Sequence, residues 1–331
     1  MNTGTLPRTI TPEESDVITQ YEALAKSQNH LSPALQMQLK AFEAHLDDKA
    51  DKIVVFAGAG ISVAAPSSLP LWKGLADIFL KRAQALFHPN PTASAGLQFA
   101  AKLFADGKYY MGFEIIMAAI HDTAFNNIAM KLTTFEYAQP NIHHLLLSTA
   151  QLACIITTNY DRLIERAISE YQRDEIDSFN WKDNSRIAYA FSRFPSKPSF
   201  IFHIHGDRSD PPSIVFRTSQ VADIQKDSYI KQLLTKIRQG KTIIFVGYGF
   251  NDPDVIACWD YLDLNHVRFL QPAFFVCRQN EVDPSKRKEL EERHNLIVLE
   301  FEDSAGDFSY LKHVLWRIAQ VTRRASPEDV A

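Results

Sequence analysis

Cysteine is scarce in this 331-residue chain: Cys154, Cys258 and Cys277 stand far apart beside apolar neighbours, and no CxxC pair occurs. That spacing excludes a disulfide framework and a four-cysteine zinc ribbon. No apolar run approaches the length that crosses a bilayer, and the opening MNTGTLPRTITPEESD has no apolar stretch of the kind that directs secretion. A cytoplasmic protein without a membrane partner is expected. Basic charge is not concentrated either: 35 Lys and Arg face 39 Asp and Glu, a net charge of −4, with no basic run to track a phosphate backbone. Direct nucleic-acid binding is not expected. Internal repeats and low-complexity segments are also missing.

What remains is an ordinary globular composition, 46% hydrophobic and 22% charged. From about Glu13 to Asp48, charged and apolar residues alternate at helical spacing, with Leu24, Leu31, Leu35, Leu39 and Phe42 as anchors. These read as helices outside the main sheet or as a subunit interface. Residues 53–56 read as a buried strand. No strand follows until Cys154; the stretches 74–87, 96–105 and 109–120, rich in Ala, Leu and Phe, read as a helical insertion. Alternation then resumes, with strands expected near 153–157, 200–204, 213–216, 242–247, 273–277 and 296–301. Helices are expected near 160–171, 228–239, 252–262, 284–293 and 307–322. The pattern is that of an α/β chain, a Rossmann-like doubly wound parallel sheet with a helical insertion and an N-terminal helical extension. The expected division is an extension over 1–49, a Rossmann-like domain over 50–72 and 140–323, an insertion over 73–139 and a tail over 324–331.

Four strand ends carry chemistry. IVVFAGAGIS, residues 53 to 62, is an apolar strand running into Gly58-Ala59-Gly60, a nearly bare backbone that admits a phosphate or simply fits a tight turn. It is not a dehydrogenase fingerprint, because Val63 stands where the third glycine belongs and no strand-end acid follows about 20 positions on. CIITTNYD, residues 154 to 161, ends in Thr157, Thr158, Asn159, Tyr160 and Asp161 at the edge where open α/β sheets bind ligands; Asp161 also suits a helix cap. FIFHIHGD, residues 200 to 207, read as a strand, puts His203 and His205 on the same face, as a general base, a metal pair or hydrogen-bonded core histidines. With Asp207 they are similar to the HxHxD ligand run of metallo-β-lactamase-like hydrolases, but Arg208 stands where a further histidine is needed, so no metal is expected. TIIFVGYGFNDPDV, residues 242 to 255, ends another apolar strand in Gly247-Tyr248-Gly249, with Asn251-Asp252-Pro253 as a helix start.

In this order, GAGIS at 58–62, TTNYD at 157–161, HG at 205–206 and VGYGF at 246–250 resemble the sirtuin family over about 50 to 280. TTNYDxLIE, the preceding PNIHHLLL at 140–147 and GYGFNDPDV resemble the bacterial sirtuin-like branch of antiphage defence systems. The resemblance implies an NAD site made by all four turns. Gly58, Ala59, Gly60 and Ser62 would face the pyrophosphate, with Thr158 beside them, and Gly247 and Tyr248 would approach the adenosine ribose. Asn159 would hold the nicotinamide ribose and orient a water, with Asp161 adjacent. His205 matches the family's general base, and His203 receives no role.

Two departures separate this chain from deacylating sirtuins: it lacks their zinc ribbon, and Ser68-Leu69-Pro70-Leu71-Trp72-Lys73 replaces their glycine-isoleucine-proline continuation. The implied activity is NAD hydrolysis to nicotinamide and ADP-ribose, by an antiphage effector that depletes NAD. The alternatives are a non-catalytic NAD or ADP-ribose sensor of the same fold, and a deacylase or ADP-ribosyltransferase. Uncontrolled NAD hydrolysis would harm the cell, so the expected control is assembly, as a homo-oligomer or with a co-encoded partner such as a HerA-like ATPase or a short Argonaute.

Overall fold

The computed structural model describes residues 33–46, 52–87, 90–133, 137–172, 175–194, 199–251, 253–262, 268–303 and 308–322, with residues 23, 135 and 306. Leu24, Leu31, Asp252 and the expected tail lie outside the described residues.

Seven strands form one sheet: β1 (Ile53–Ala57), β2 (Cys154–Thr157), β3 (Asp177–Asn180), β4 (Phe200–His203), β5 (Thr242–Val246), β6 (Ala273–Arg278) and β7 (Leu296–Phe301). Their order is β3-β4-β2-β1-β5-β6-β7 and every neighbouring pair is parallel. Parallel strands must be covered on both faces, which is why β1 and β5 are apolar runs buried at all five positions. Alternate residues supply the two cores. Val54, Phe56, Ile156, Phe202 and Phe245 enter one, and Ile53, Val55, Ile155, Ile201 and Ile244 enter the other.

Around the sheet lie α1 (Pro33–Leu46), α2 (Trp72–Phe87), α3 (Pro91–Ala105), α4 (Tyr109–Ile120), α5 (Asp122–Thr133), α6 (Ile142–Thr149) and α7 (Leu163–Ala167). They are followed by α8 (Asn184–Arg193), α9 (Thr218–Lys226), α10 (Ser228–Gly240), α11 (Pro253–Tyr261), α12 (Pro284–Glu289) and α13 (Leu311–Thr322). The first core is closed by α8, α10 and α11, and the second by α1, α6 and α13. From α1, Leu39, Phe42 and Leu46 reach that second core, and Glu43 accepts from Arg317 of α13 at 2.7 Å.

Helices α2 to α5 build a third core, centred on Trp72, Phe79, Phe113 and Phe125 and joined by Phe216 from the loop before α9. Local chemistry starts α3: Asn90 caps the Thr92 and Ala93 amides at 3.0 and 3.1 Å, with Pro91 at the first helical position. Tyr160, from the turn after β2, packs into this cluster, so the helices sit over the carboxyl edge of the sheet.

The chain begins at β1, moves outward through β2 and returns to β5 on the other side of β1. The direction of winding therefore reverses between β1 and β5, whose residues pair from Ile53 beside Thr242 to Ala57 beside Val246. In such sheets ligands sit in the crevice beyond the carboxyl ends at this point.

The sheet departs from expectation in two places. Residues 213–216 do not form a strand: a 3₁₀ turn covers Pro211–Ser213, the Val215 amide donates to the His205 carbonyl at 2.9 Å, and the Tyr160 hydroxyl donates to the Val215 carbonyl at 2.6 Å. Side chain and loop satisfy backbone groups that a ladder would otherwise hold. Conversely, the edge strand β3 reads DSFN, with no apolar run to announce it, and exists through its ladder to β4.

Candidate active site

The turns after β1 and β5 lock together. Gly58 and Gly60 donate their amides to the Val246 and Gly247 carbonyls at 2.9 and 2.8 Å. A Cβ at Gly58 would lie 2.5 Å from the Tyr248 ring and one at Gly60 2.6 Å from the Phe308 ring, while Gly247 takes φ +75°. The bare backbone is thus filled by the protein's own aromatics, and those two amides are committed to the neighbouring turn. Tyr248 is buried there, its hydroxyl accepting from Thr158 Oγ1 at 3.3 Å.

Ser62, at the end of the β1 turn, is a buried hub. Its hydroxyl donates to Asp161 Oδ2 at 3.0 Å, and it lies 3.1 Å from His144 Nε2 and 3.3 Å from Asn159 Nδ2. The proton positions follow from the network. Asn141 caps α6 and gives its backbone N–H to His144 Nδ1 at 3.1 Å, so the His144 proton sits on Nε2 and points to Ser62. Burial drives His144 down to about 3, which keeps the ring neutral. With its proton given to Asp161 and one lone pair used by His144, Ser62 accepts from the Asn159 amide. That orients Asn159 so that Oδ1 is the remaining oxygen, and Oδ1 is buried with no partner among the described residues.

The backbone around Asn159 is fixed on both sides. Its amide donates to Thr157 Oγ1 at 3.0 Å, which in turn donates to the Ala57 carbonyl of β1 at 2.8 Å. Its carbonyl accepts from His203 Nδ1 at 3.0 Å, and His203 Nε2 lies 2.8 Å from Glu165 Oε1. Both partners of His203 are pure acceptors, so the ring carries both protons. Burial opposes that charge, but the Glu165 carboxylate outweighs it and raises His203 above its ordinary value. Glu165 likewise overcomes its burial and is held at about 2, with Arg162 Nε and Ser178 Oγ also donating to it at 3.1 and 2.7 Å. Asp161 differs: burial pushes its carboxyl above the usual range despite the bonds from Leu163 N and Ser62. Asp161 thus accepts from the first amide of α7 through one oxygen and serves the Ser62 hub through the other.

His203 and His205 do not share a face, which corrects the expectation drawn from strand alternation. β4 ends at His203, and the turn at Gly206, with φ +82°, carries His205 to the other side. His203 meets α7, whereas His205 lies between α4 and α11. The Tyr110 hydroxyl lies 3.3 Å from His205 Nδ1, and Tyr261 3.0 Å from Nε2. Tyr110 also donates to Asp254 Oδ1, which is 3.6 Å from Nδ1. Burial lowers His205 below its ordinary value, partly countered by Asp254.

A cleft of about 420 Å³ opens over these turns, lined by Ala59, Ser62, Leu69, Pro70, Trp72, Leu75, Phe135, Thr158, Asn159, Tyr160, Asp161 and Asp254. Of the residues singled out in the sequence, Ala59, Ser62, Thr158, Asn159 and Asp161 meet there. Gly58, Gly60, Gly247 and Tyr248 support its floor by packing on one another, and His205 sits behind Tyr110 and Asp254, fully buried. No group of three or more His, Cys, Asp or Glu able to hold a metal occurs among the described residues. Sequence reasoning gave no role to Glu165 of TTNYDxLIE or Asp254 of GYGFNDPDV, and it missed Tyr110 and Tyr261, which come from helices and have no strand end to mark them. His144 and Asn141 lay within PNIHHLLL, but nothing in that stretch showed that they would reach Ser62.

No helix of the described residues is long and apolar enough to cross a membrane. Residues 153–299 match the model of the SIR2-like domain, a span from the edge of β2 into β7. The chain is 27% identical over 231 residues to NAD(+) hydrolase ThsA of Cytobacillus dafuensis, covering 66% of this chain and 39% of that protein. It is 29% identical over 142 residues to NAD(+) hydrolase ThsA of Enterococcus faecium, covering 42% and 26%. With NAD(+) hydrolase ThsA of Bacillus cereus (strain MSX-D12) it shares 30% over 128 residues, covering 38% and 24%. The chain therefore spans less than half the length of these curated relatives. The doubly wound parallel sheet, the four turns gathered at its carboxyl edge and the match over 153–299 together identify that part of the chain as a SIR2-like, or sirtuin-like, domain.

Proposed function

We propose that this chain cleaves the nicotinamide–ribose bond of NAD and passes the ribosyl group to water, giving nicotinamide and ADP-ribose. The observation that carries the reading is Asn159 Oδ1, a buried acceptor without a donor among the described residues, beside the cleft at the reversal point of the sheet. An unpaired buried acceptor costs about 1 to 3 kcal/mol, a cost that a ribose hydroxyl or an attacking water relieves by donating to it. The leaving group departs as neutral nicotinamide, so the site needs no strong acid. It needs a held ribose, shielding of an oxocarbenium-like state and a neutral base. Asn159 and Asp161 at the cleft supply the first two, and neutral His205 the third. The ThsA relatives carry the name NAD(+) hydrolase, which supports the same reaction.

The reading extends to a cytoplasmic antiphage effector that depletes NAD, with residues 50–72 and 140–323 as the catalytic unit and 73–139 as a helical insertion. Its activity is switched on by assembly, with itself or with a co-encoded partner. The test is NAD loss and nicotinamide release by the purified chain across a range of concentrations and with its neighbouring gene products. Asn159→Ala and His205→Ala are expected to abolish turnover. NAD or ADP-ribose bound without turnover under all these conditions would overturn the hydrolase in favour of the sensor. Full turnover by a dilute monomer would remove assembly as the control.

A further inference from the structure

His205 is buried with a polar partner on each nitrogen, and the arrangement leaves one consistent set of protons. The Tyr110 hydroxyl has a single proton, and it is given to Asp254 Oδ1, a carboxylate that can only accept. Tyr110 can therefore meet His205 Nδ1 only by accepting, which places the imidazole proton on Nδ1. Nε2 is then the basic nitrogen, and Tyr261 donates to it at 3.0 Å. Asp254 also lines the cleft that holds Asn159 and Asp161, which His205 does not reach in this arrangement.

We propose that Asp254 and Tyr110 are positioning residues for His205: acting as a chain from α11 through α4, they fix its tautomer and ring orientation so that Nε2 is the nitrogen that takes a proton from substrate. The Tyr261 hydroxyl keeps that nitrogen covered until a ribose hydroxyl or a water replaces it. This inference rests on His205 being the base of the proposed hydrolysis. Its content is separate: a side chain from the helices between β1 and β2, and one from the helix after β5, decide which face of the imidazole is reactive. The titratable groups facing the ring are Tyr110 from α4 and Asp254 and Tyr261 from α11, with Cys258 and Asp260 acting on Tyr261 from its own helix.

The two positions make opposite predictions for pH dependence. Asp254 is the charge that raises His205 against its burial, so Asp254→Asn lowers His205 further and moves the acidic limb of kcat to lower pH. Tyr110→Phe removes the intervening hydroxyl and leaves the Asp254 carboxylate facing Nδ1 from 3.6 Å. It should move the same limb to higher pH. In both variants kcat falls by about tenfold or more with KM changed less than about threefold, because orientation of a base is lost rather than binding. Asp254→Glu should restore part of kcat.

A uniform loss of rate with an unshifted pH profile would make both residues merely structural and overturn the proposal. His205→Ala inactive while Tyr110→Phe and Asp254→Asn match wild type in rate and profile overturns the positioning alone. Full activity in His205→Ala overturns the underlying reading. If Asp254→Asn does not fold, Tyr110→Phe carries the test. Where the purified chain shows no turnover, nitrogen NMR of histidine-labelled protein decides, with His205→Ala assigning the signal. A proton on Nδ1 in wild type that is lost or shared with Nε2 in Tyr110→Phe supports the chain, and an unchanged tautomer refutes it.

Discussion

Glu165→Gln keeps the size of the side chain and one acceptor oxygen while removing the charge opposite the His203 imidazolium. Burial alone would raise this carboxyl, yet His203 and Arg162 hold it at about 2 against an ordinary value of 4.5. That difference corresponds to about 3 kcal/mol where Glu165 is ionised and His203 still protonated, which falls at the lower end of the roughly 3 to 5 kcal/mol lost when one member of a buried pair is removed. The Glu165 contribution is complete above its unfolded value of 4.5 and disappears as pH falls toward about 2. The His203 contribution is complete below its unfolded value of 6.5 and is lost as pH rises through its higher folded value. Wild type and variant should therefore differ most between about pH 4.5 and 6.5 and converge on either side.

Unfolding in urea at about pH 3.5, 5.5 and 8 measures the gap directly, through the shift of the midpoint at constant slope. A gap below about 1 kcal/mol at the middle pH, the size of an exposed pair, would refute the buried ion pair. A gap that stays constant across the range would refute it equally. Because His203 Nδ1 also holds the Asn159 carbonyl, the variant should lose turnover over the same pH range in which it loses stability.

Ser62→Ala strands the His144 N–H, the Asn159 amide and Asp161 Oδ2, each about 1 to 3 kcal/mol if left unpaired; thermal melting should show a clear loss together with failing NAD cleavage, and an unchanged melt would contradict the hub. Trp72→Ala removes the ring that meets Tyr109, Tyr110, Phe113, Tyr160 and Phe216. It should cost about 3 to 5 kcal/mol in denaturant unfolding, and a loss under about 1 kcal/mol would mean that the third core does not depend on it. Cys154, Cys258 and Cys277 are all buried, and burial raises the Cys154 and Cys277 thiols. An aromatic disulfide reagent should label none of them in the native chain and all of them after denaturation; labelling at native pH within minutes would show that a core is open.

Central strands were readable because their physical signature is local. IVVFA and TIIFV are apolar throughout since both faces of a parallel strand are covered, and the polar run after CIIT marked the edge where Ser62, Asn159 and Asp161 meet. DSFN was unreadable as a strand because its order comes from pairing with β4, and residues 213–216 looked like a strand because apolar content does not reveal whether a partner lies alongside. The two histidines show the same limit at one residue's scale. Alternation along FIFHIH holds only while the strand lasts, and β4 stops at His203.

The sequence by itself determined the class of fold and the strand ends at which chemistry collects, since both follow from runs of residues that are neighbours in the chain. It also supplied Asn159, Asp161, Ser62 and His205 as the groups to watch. Only the tertiary structure decided what those groups are able to do. Ser62 meets His144 and Asn159 across 82 and 97 positions of chain. His203 becomes a charged clamp because α7 brings Glu165 to it, and His205 stays neutral because α4 and α11 bury it between Tyr110, Asp254 and Tyr261. Proton position and charge are set by which partners lie within hydrogen-bond reach and by how much water is excluded, and both are properties of packing between distant segments.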